Sequence, residues 1–223
     1  MKNSKEYSKE VNKLFRSLKR KNSRPKKPEY EEPLEALVFA IVGENITNKS
    51  AKSVIKQFND YFIDLNDLRV SSTEEIIENL GSDTPLARGI ASSLTDVLKA
   101  VFNRYHTVSL KILHKMGKRQ AKQVLEQIGP LSSFTISYCM LTSLGAHAIP
   151  LTEKMIEYLK KNELVHPDSD NQQIEGFLTR QIAAKNAYEF YHLLRKASES
   201  SKTKKKTKRK TKKRKTKKRK TRK

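Results

Sequence analysis

The sequence predicts an all-α protein, one helical domain between two basic ends. Three observations carry that reading. From Pro33 to about Ser198, apolar residues recur at helical spacing, with no convincing alternating strand. Pro, Ser, Thr and Gly fall where helices start and stop. Charge is segregated: residues 202–223 hold 17 Lys/Arg and five Thr and nothing else, residues 1–28 carry a net +9, and residues 29–201 hold 19 basic against 22 acidic residues. The net charge of +23 over 223 residues therefore belongs to the ends. The expected organisation is a basic arm over 1–28, a helical domain over 29–198 and a disordered tail over 199–223.

The elements follow in order. In the arm, Val11, Leu14, Phe15 and Leu18 share one helix face, surrounded by Lys13, Arg16, Lys19, Arg20 and Lys21. This is a basic amphipathic helix whose stripe is expected to dock on the core; a membrane or partner is the alternative. The prolines at 25 and 28 break it. Pro33 suits a helix start, and Leu34, Leu37, Val38, Ile41 and Val42 form its stripe. A second helix should run from about Asn48 to Phe62, with Ala51, Val54, Ile55 and Phe58 inward. Ser72-Thr-Glu-Glu75 reads as a capping box opening a short helix that Gly81 ends. A long helix follows Pro85, with Ile90, Leu94, Val97, Leu98, Val101 and Phe102 inward. A short segment at 109–116 precedes helices at about 118–128, 132–144, 152–162 and 171–197. The apolar run 134–141 has a strand reading, but its length and the Ser132/Ser133 cap favour a buried central helix. The domain should hold eight to ten helices.

Composition excludes several classes of function. A single cysteine, Cys139, gives no disulfide framework, four-Cys zinc site or four-Cys iron–sulfur cluster within one chain. No cofactor or metal is expected. No apolar run approaches the ~20 residues of a membrane span, and the first residues lack the apolar stretch of a secretory signal. There is no P-loop and no G-x-S-x-G. His106, His114, His147, His166 and His192 are scattered. Asp168 and Asp170 are read as capping the last helix, with a metal role as the lesser alternative.

The surplus charge points to a polyanion. In the tail, Lys204, Lys205, Lys206, Lys208, Arg209, Lys210, Lys212, Lys213, Arg214 and Lys215 lead a run with no apolar side chain to bury. Such a tail neutralises phosphates without reading bases. DNA is the expected partner and RNA the second choice, with no membrane partner and a monomer as the expected state. The expected location is cytoplasmic and nucleoid-associated, or nuclear in a eukaryotic host.

Three stretches of the middle resemble the endonuclease III family of DNA glycosylases, the helix-hairpin-helix superfamily. The apolar helix from Pro33 runs into Glu44-Asn-Ile-Thr-Asn48, similar to the family's Gln-x-Thr-Asp turn, which approaches the lesion. Asn45, Thr47 and Asn48 fall at the Gln, Thr and Asp. Val124-Leu-Glu-Gln-Ile-Gly-Pro-Leu-Ser-Ser-Phe-Thr135 is similar to the hairpin whose family pattern is Leu-Pro-Gly-Val-Gly-Arg-Lys-Thr. Ala148-Ile-Pro-Leu-Thr-Glu-Lys-Met155 is similar to the family's Ala-Val-Asp-Thr-His segment. The ungapped spacing between the second and third stretches is kept, and the likeness covers roughly 33–163.

The resemblance implies a DNA-binding cleft and places the departures. The family's glycosylase/lyases use a hairpin lysine as Schiff-base nucleophile, which falls at Ser133, and an aspartate at a helix start, which falls at Leu151. A leucine carries no charge, and a serine without a neighbouring base is a poor nucleophile. The hairpin's second glycine falls at Leu131, while Gly129 is kept. The resemblance implies that Gly129, Leu131, Ser132 and Ser133 meet the DNA backbone. Glu44, Asn45, Thr47, Asn48 and Thr152 are the candidates to face the cleft, and Thr152 is expected to cap a helix. Glu153, Lys154 and His147 lie close in sequence to the missing groups. Each has a plainer structural reading as a helix-end or loop residue, as does Glu44. The implied function is DNA binding in base-excision repair without the Lys/Asp chemistry. The alternatives are an active glycosylase with displaced catalytic residues and a nucleoid- or RNA-associated structural protein.

Overall fold

A computed structural model describes residues 4–200. The tail lysines and arginines named above lie outside the described residues. Eleven α-helices are present among those described: α1 (Ser4–Lys21), α2 (Pro33–Gly43), α3 (Asn48–Tyr61), α4 (Leu65–Val70), α5 (Thr73–Asn79), α6 (Pro85–Tyr105), α7 (Lys118–Ile128), α8 (Ser133–Thr142), α9 (Glu153–Lys161), α10 (Asn171–Gln181) and α11 (187–200). Short 3-10 turns fall at Lys111–Lys115 and Ala184–Asn186, and no strand occurs among these residues.

The core forms around the two helices that are apolar on every face. In α2 all residues but Glu35 are buried, and in α8 the run 134–142 is buried throughout. A helix apolar all round has to sit inside. The two pack antiparallel. The α2 N-terminus lies beside mid-α8, where Cys139 Sγ is 3.5 Å from Pro33 O, and the far ends meet where Ser132 reaches Glu44. Burial pushes the Cys139 thiol up to about 12, so it remains a protonated core group.

The arm helix joins this core. Val11 and Phe15 are buried, and the Phe15 ring meets Phe190 edge-on at 5.3 Å. Ser8 donates to Gln181 Oε1 at 2.5 Å, and Lys19 pairs with Glu189 at 3.2 Å. Burying side chains of this size stabilises by about 1.5–3 kcal/mol each.

Four local expectations need correcting. The segment 65–70 is a helix that the apolar pattern did not announce, because Leu68 is its one buried residue and Asp64 supplies its cap. The capping box is half formed: Ser72 accepts from Glu75 N, but the Glu75 carboxylate accepts from the Tyr61 hydroxyl at 3.0 Å. The helix expected over 171–197 breaks at Ile182 and Ala183, both extended, with no Pro or Gly to signal it. His147 Nε2 lies 2.8 Å from Ile182 O and satisfies a carbonyl that the break frees. Residues 199 and 200, assigned above to the tail, continue α11, where Glu199 pairs with Arg195.

Candidate functional site

The turn between α2 and α3 is held from behind. Thr47 caps α3 by accepting from Ser50 N at 3.1 Å. The buried Arg195 guanidinium of α11 donates to Gly43 O, to Ile46 O at 3.1 Å and to the Tyr191 hydroxyl at 2.8 Å. Its charge is paired with Glu199 at 3.0 Å, and Glu199 accepts from Asn48 N at 3.0 Å. A buried cation needs such partners. The sequence patterns did not single out Arg195 or Glu199. The available signal is a charged residue on the buried stripe of Tyr191, Arg195 and Ser198.

Glu44 faces the hairpin. Its carboxylate accepts from Ser132 Oγ at 2.8 Å, and Ser132 caps α8 by accepting from Thr135 N at 3.0 Å. Burial raises the Glu44 carboxyl above the ordinary range and Glu153 adds to that, while the Ser132 bond and Arg195 oppose it. On the other side of the α8 N-terminus stands Glu175 of α10. It accepts from Ser137 Oγ at 2.5 Å, and Ser133 Oγ lies 3.4 Å from its second oxygen. Burial raises its carboxyl too, opposed by Ser137, Lys122 and Ser133. Two half-buried carboxyl groups therefore flank this helix start, and no motif pointed to Glu175.

The hairpin turn is tight, with Leu131 N bonded to Gly129 O at 2.7 Å. Gly129 is extended, and a side chain there would meet nothing within 4 Å, so neither backbone conformation nor space requires glycine. Leu131 and Leu151 are half-buried against the core. Thr152 is buried and caps α9 by accepting from Met155 N at 3.4 Å.

Helix α9 then divides its first residues. Lys154 Nζ donates to Asn45 O at 3.1 Å, whereas Glu153 accepts from Asn171 Nδ2 at 3.1 Å. Glu44, Asn45, Ser132 and Lys154 are thus joined, and Ser133 is joined to Glu175. Asn48 is engaged on the α11 side. Glu44, Asn45, Leu131, Ser132 and the exposed Leu86 help line a cavity of about 330 Å³. Asp170 caps α10 by accepting from Gln173 N at 2.7 Å, and Asp168 is exposed beside His166. Among the described residues no three His, Cys, Asp or Glu are grouped to hold a metal ion, and no helix is long and apolar enough to cross a membrane.

No family model and no curated protein sequence matches the chain. Solved structures do match. A non-covalent endonuclease III–DNA complex superposes with a TM-score of 0.66 at 15% identity, over 84% of this chain and 84% of that one. The Clostridium acetobutylicum 8-oxoguanine glycosylase/lyase in complex with duplex DNA gives 0.67 at 14% identity, over 89% and 71%. The H. pylori 3-methyladenine DNA glycosylase gives 0.61 at 13% identity, over 90% and 98%. The chain has the endonuclease III-like helix-hairpin-helix fold.

Proposed function

We propose that the protein binds duplex DNA of the kind handled in base-excision repair and reads a distorted or abasic site at this cleft, without the lysine and aspartate chemistry of glycosylase/lyases. The observation that carries the reading is the convergence of the turn at 44–48, the hairpin at 129–133 and the start of α9; the sequence resemblance, in turn, gives Ser133 and Leu151 the places of the two reactive residues. A Schiff base needs an amine at the first, and charge stabilisation needs a carboxylate at the second. A hydroxyl and an alkyl group supply neither. The acids beside α8 make the hairpin a poor electrostatic phosphate grip. Sequence-independent affinity therefore rests with the 17 Lys/Arg of residues 202–223.

The test is competition binding of the full chain to intact and abasic-analogue duplexes at moderate salt. The reading expects a preference of about tenfold or more for the abasic duplex. Equal affinity would leave the tail as the nucleic-acid element and favour a structural nucleoid or RNA role. A second reading is favoured by Glu44, whose raised carboxyl beside Ser132 is suited to donating a proton. It makes the protein a hydrolytic DNA glycosylase and expects base release, abolished in Glu44→Gln, on some member of a lesion panel.

A further inference from the structure

A second pocket lies between the arm linker, α2, α3, α8 and α11, with a volume of about 450 Å³. That is the scale of small-molecule sites. It is lined by the half-buried Tyr30 and Tyr188 and, at its floor, by the buried Phe39, Tyr138 and Tyr191. Phe39 and Tyr138 stack at 5.4 Å, and the half-buried Tyr188 ring lies 6.1 Å from the His192 ring. Burial pushes the Tyr30 phenol up to about 12, which keeps its hydroxyl protonated.

The rim is cationic. Lys26, Lys27 and Lys52 line it, and Asn48, Lys52 and His192 are shared with an adjoining cavity of about 330 Å³ that adds Lys49 and Lys196. Two carboxylates are present. Glu199 is committed to Arg195 and the Asn48 N–H, which leaves Glu29. Burial, Lys52, Lys196 and Arg195 all push the His192 imidazole below its ordinary value.

Aromatic walls under a lysine rim fit a ligand with a flat ring and an anion. We propose that this pocket binds a nucleoside 5′-monophosphate unit, its base against the tyrosines and its phosphate on the lysines. Of the first cleft only Asn48, at the far end of the turn, lines it; Glu44, Asn45 and residues 129–133 do not, so the tyrosines and lysines carry the inference whether or not that cleft reads DNA. A free nucleotide and the 5′-phosphorylated end of a strand present the same chemistry.

The full chain has eight tyrosines and no tryptophan, so intrinsic tyrosine fluorescence reports on the pocket. AMP, adenosine, inorganic phosphate and a dinucleotide with or without a 5′-phosphate are titrated in turn. AMP should bind saturably, with adenosine and phosphate each weaker by about tenfold or more. A 5′-phosphate dependence of the dinucleotide identifies strand ends as a source; its absence assigns the pocket to free nucleotide. Tyr188→Leu, which keeps apolar bulk, should weaken AMP by about tenfold. Lys52→Gln should weaken it by about threefold. Lys99→Gln, at an exposed position on α6 outside both cavities, should leave it unchanged. Phosphate binding as tightly as AMP, no saturation at millimolar AMP, or affinity indifferent to both substitutions would overturn the proposal. That last pattern is the one produced by phosphate on the tail alone.

Discussion

Replacing Arg195 by methionine tests what holds the turn at 44–48. Methionine fills much of the same volume but removes the guanidinium from Gly43 O, Ile46 O, the Tyr191 hydroxyl and Glu199. Hydrogen bonds to charged groups contribute about 1.5–3 kcal/mol each, and removing one partner of a buried ion pair costs about 3–5 kcal/mol. These terms share one side chain and do not add. The expected loss is therefore about 3–5 kcal/mol for Arg195→Met. Arg195→Lys keeps the charge but not the fork that reaches two carbonyls, and should lose about 1–3 kcal/mol. Urea unfolding followed by far-UV circular dichroism measures both, with an unchanged m-value showing that the two-state comparison holds. A loss below about 1 kcal/mol in Arg195→Met would mean that the guanidinium does not hold the turn. An undiminished abasic preference in a variant that does lose stability would mean that the turn does not read the lesion.

Other predictions concern the acids, the core and the tail. Glu44→Gln keeps an acceptor for Ser132 and removes a carboxylate whose ionisation the fold disfavours. Because the folded-state pKa is raised, folding takes up a proton between the unfolded and folded values, and stability falls as pH rises through that window. Glu44→Gln should therefore be more stable than the wild type at pH 7, with the advantage vanishing below the ordinary glutamate range; a constant difference across pH contradicts this. Glu175→Gln should tighten duplex binding by about two- to fivefold at low salt, by removing a negative charge near the hairpin. Thr95 Oγ1 is buried without a hydrogen-bond partner among the described residues, so Thr95→Val should stabilise by about 1 kcal/mol in urea unfolding. Ending the chain at residue 201 should make the log affinity–log salt slope shallower by roughly 0.9 for each phosphate that the tail would have neutralised.

Much of the fold was legible because helix starts carry local chemistry. Pro33, Ser72, Pro85, Ser132, Thr152 and Asp170 stand at helix starts where the sequence placed them. The buried α8 was legible from its continuous apolar run. The break at Ile182 was not, because its backbone is satisfied by His147, 35 residues away. The site was legible only as far as the turn and hairpin. Glu44 meets Ser132 across 88 residues, Glu175 meets Ser137 across 38, and Arg195 reaches Gly43 across 152. Such pairings leave no spacing in the sequence, and only the charge on a buried stripe marks Arg195.

Whether the cleft has lost lyase chemistry, as proposed from Ser133 and Leu151, is decided by borohydride trapping on abasic duplex, with the adduct mapped by peptide mass spectrometry. Mapping is needed because tail lysines can themselves condense with the abasic aldehyde. The wild type should give no adduct within residues 4–200, and the variant carrying Ser133→Lys and Leu151→Asp should give one at position 133. A wild-type adduct on Lys154 or Lys122 would contradict the loss of lyase chemistry, and a double variant that folds and binds but gives none at 133 would contradict the placing of the reactive pair at 133 and 151.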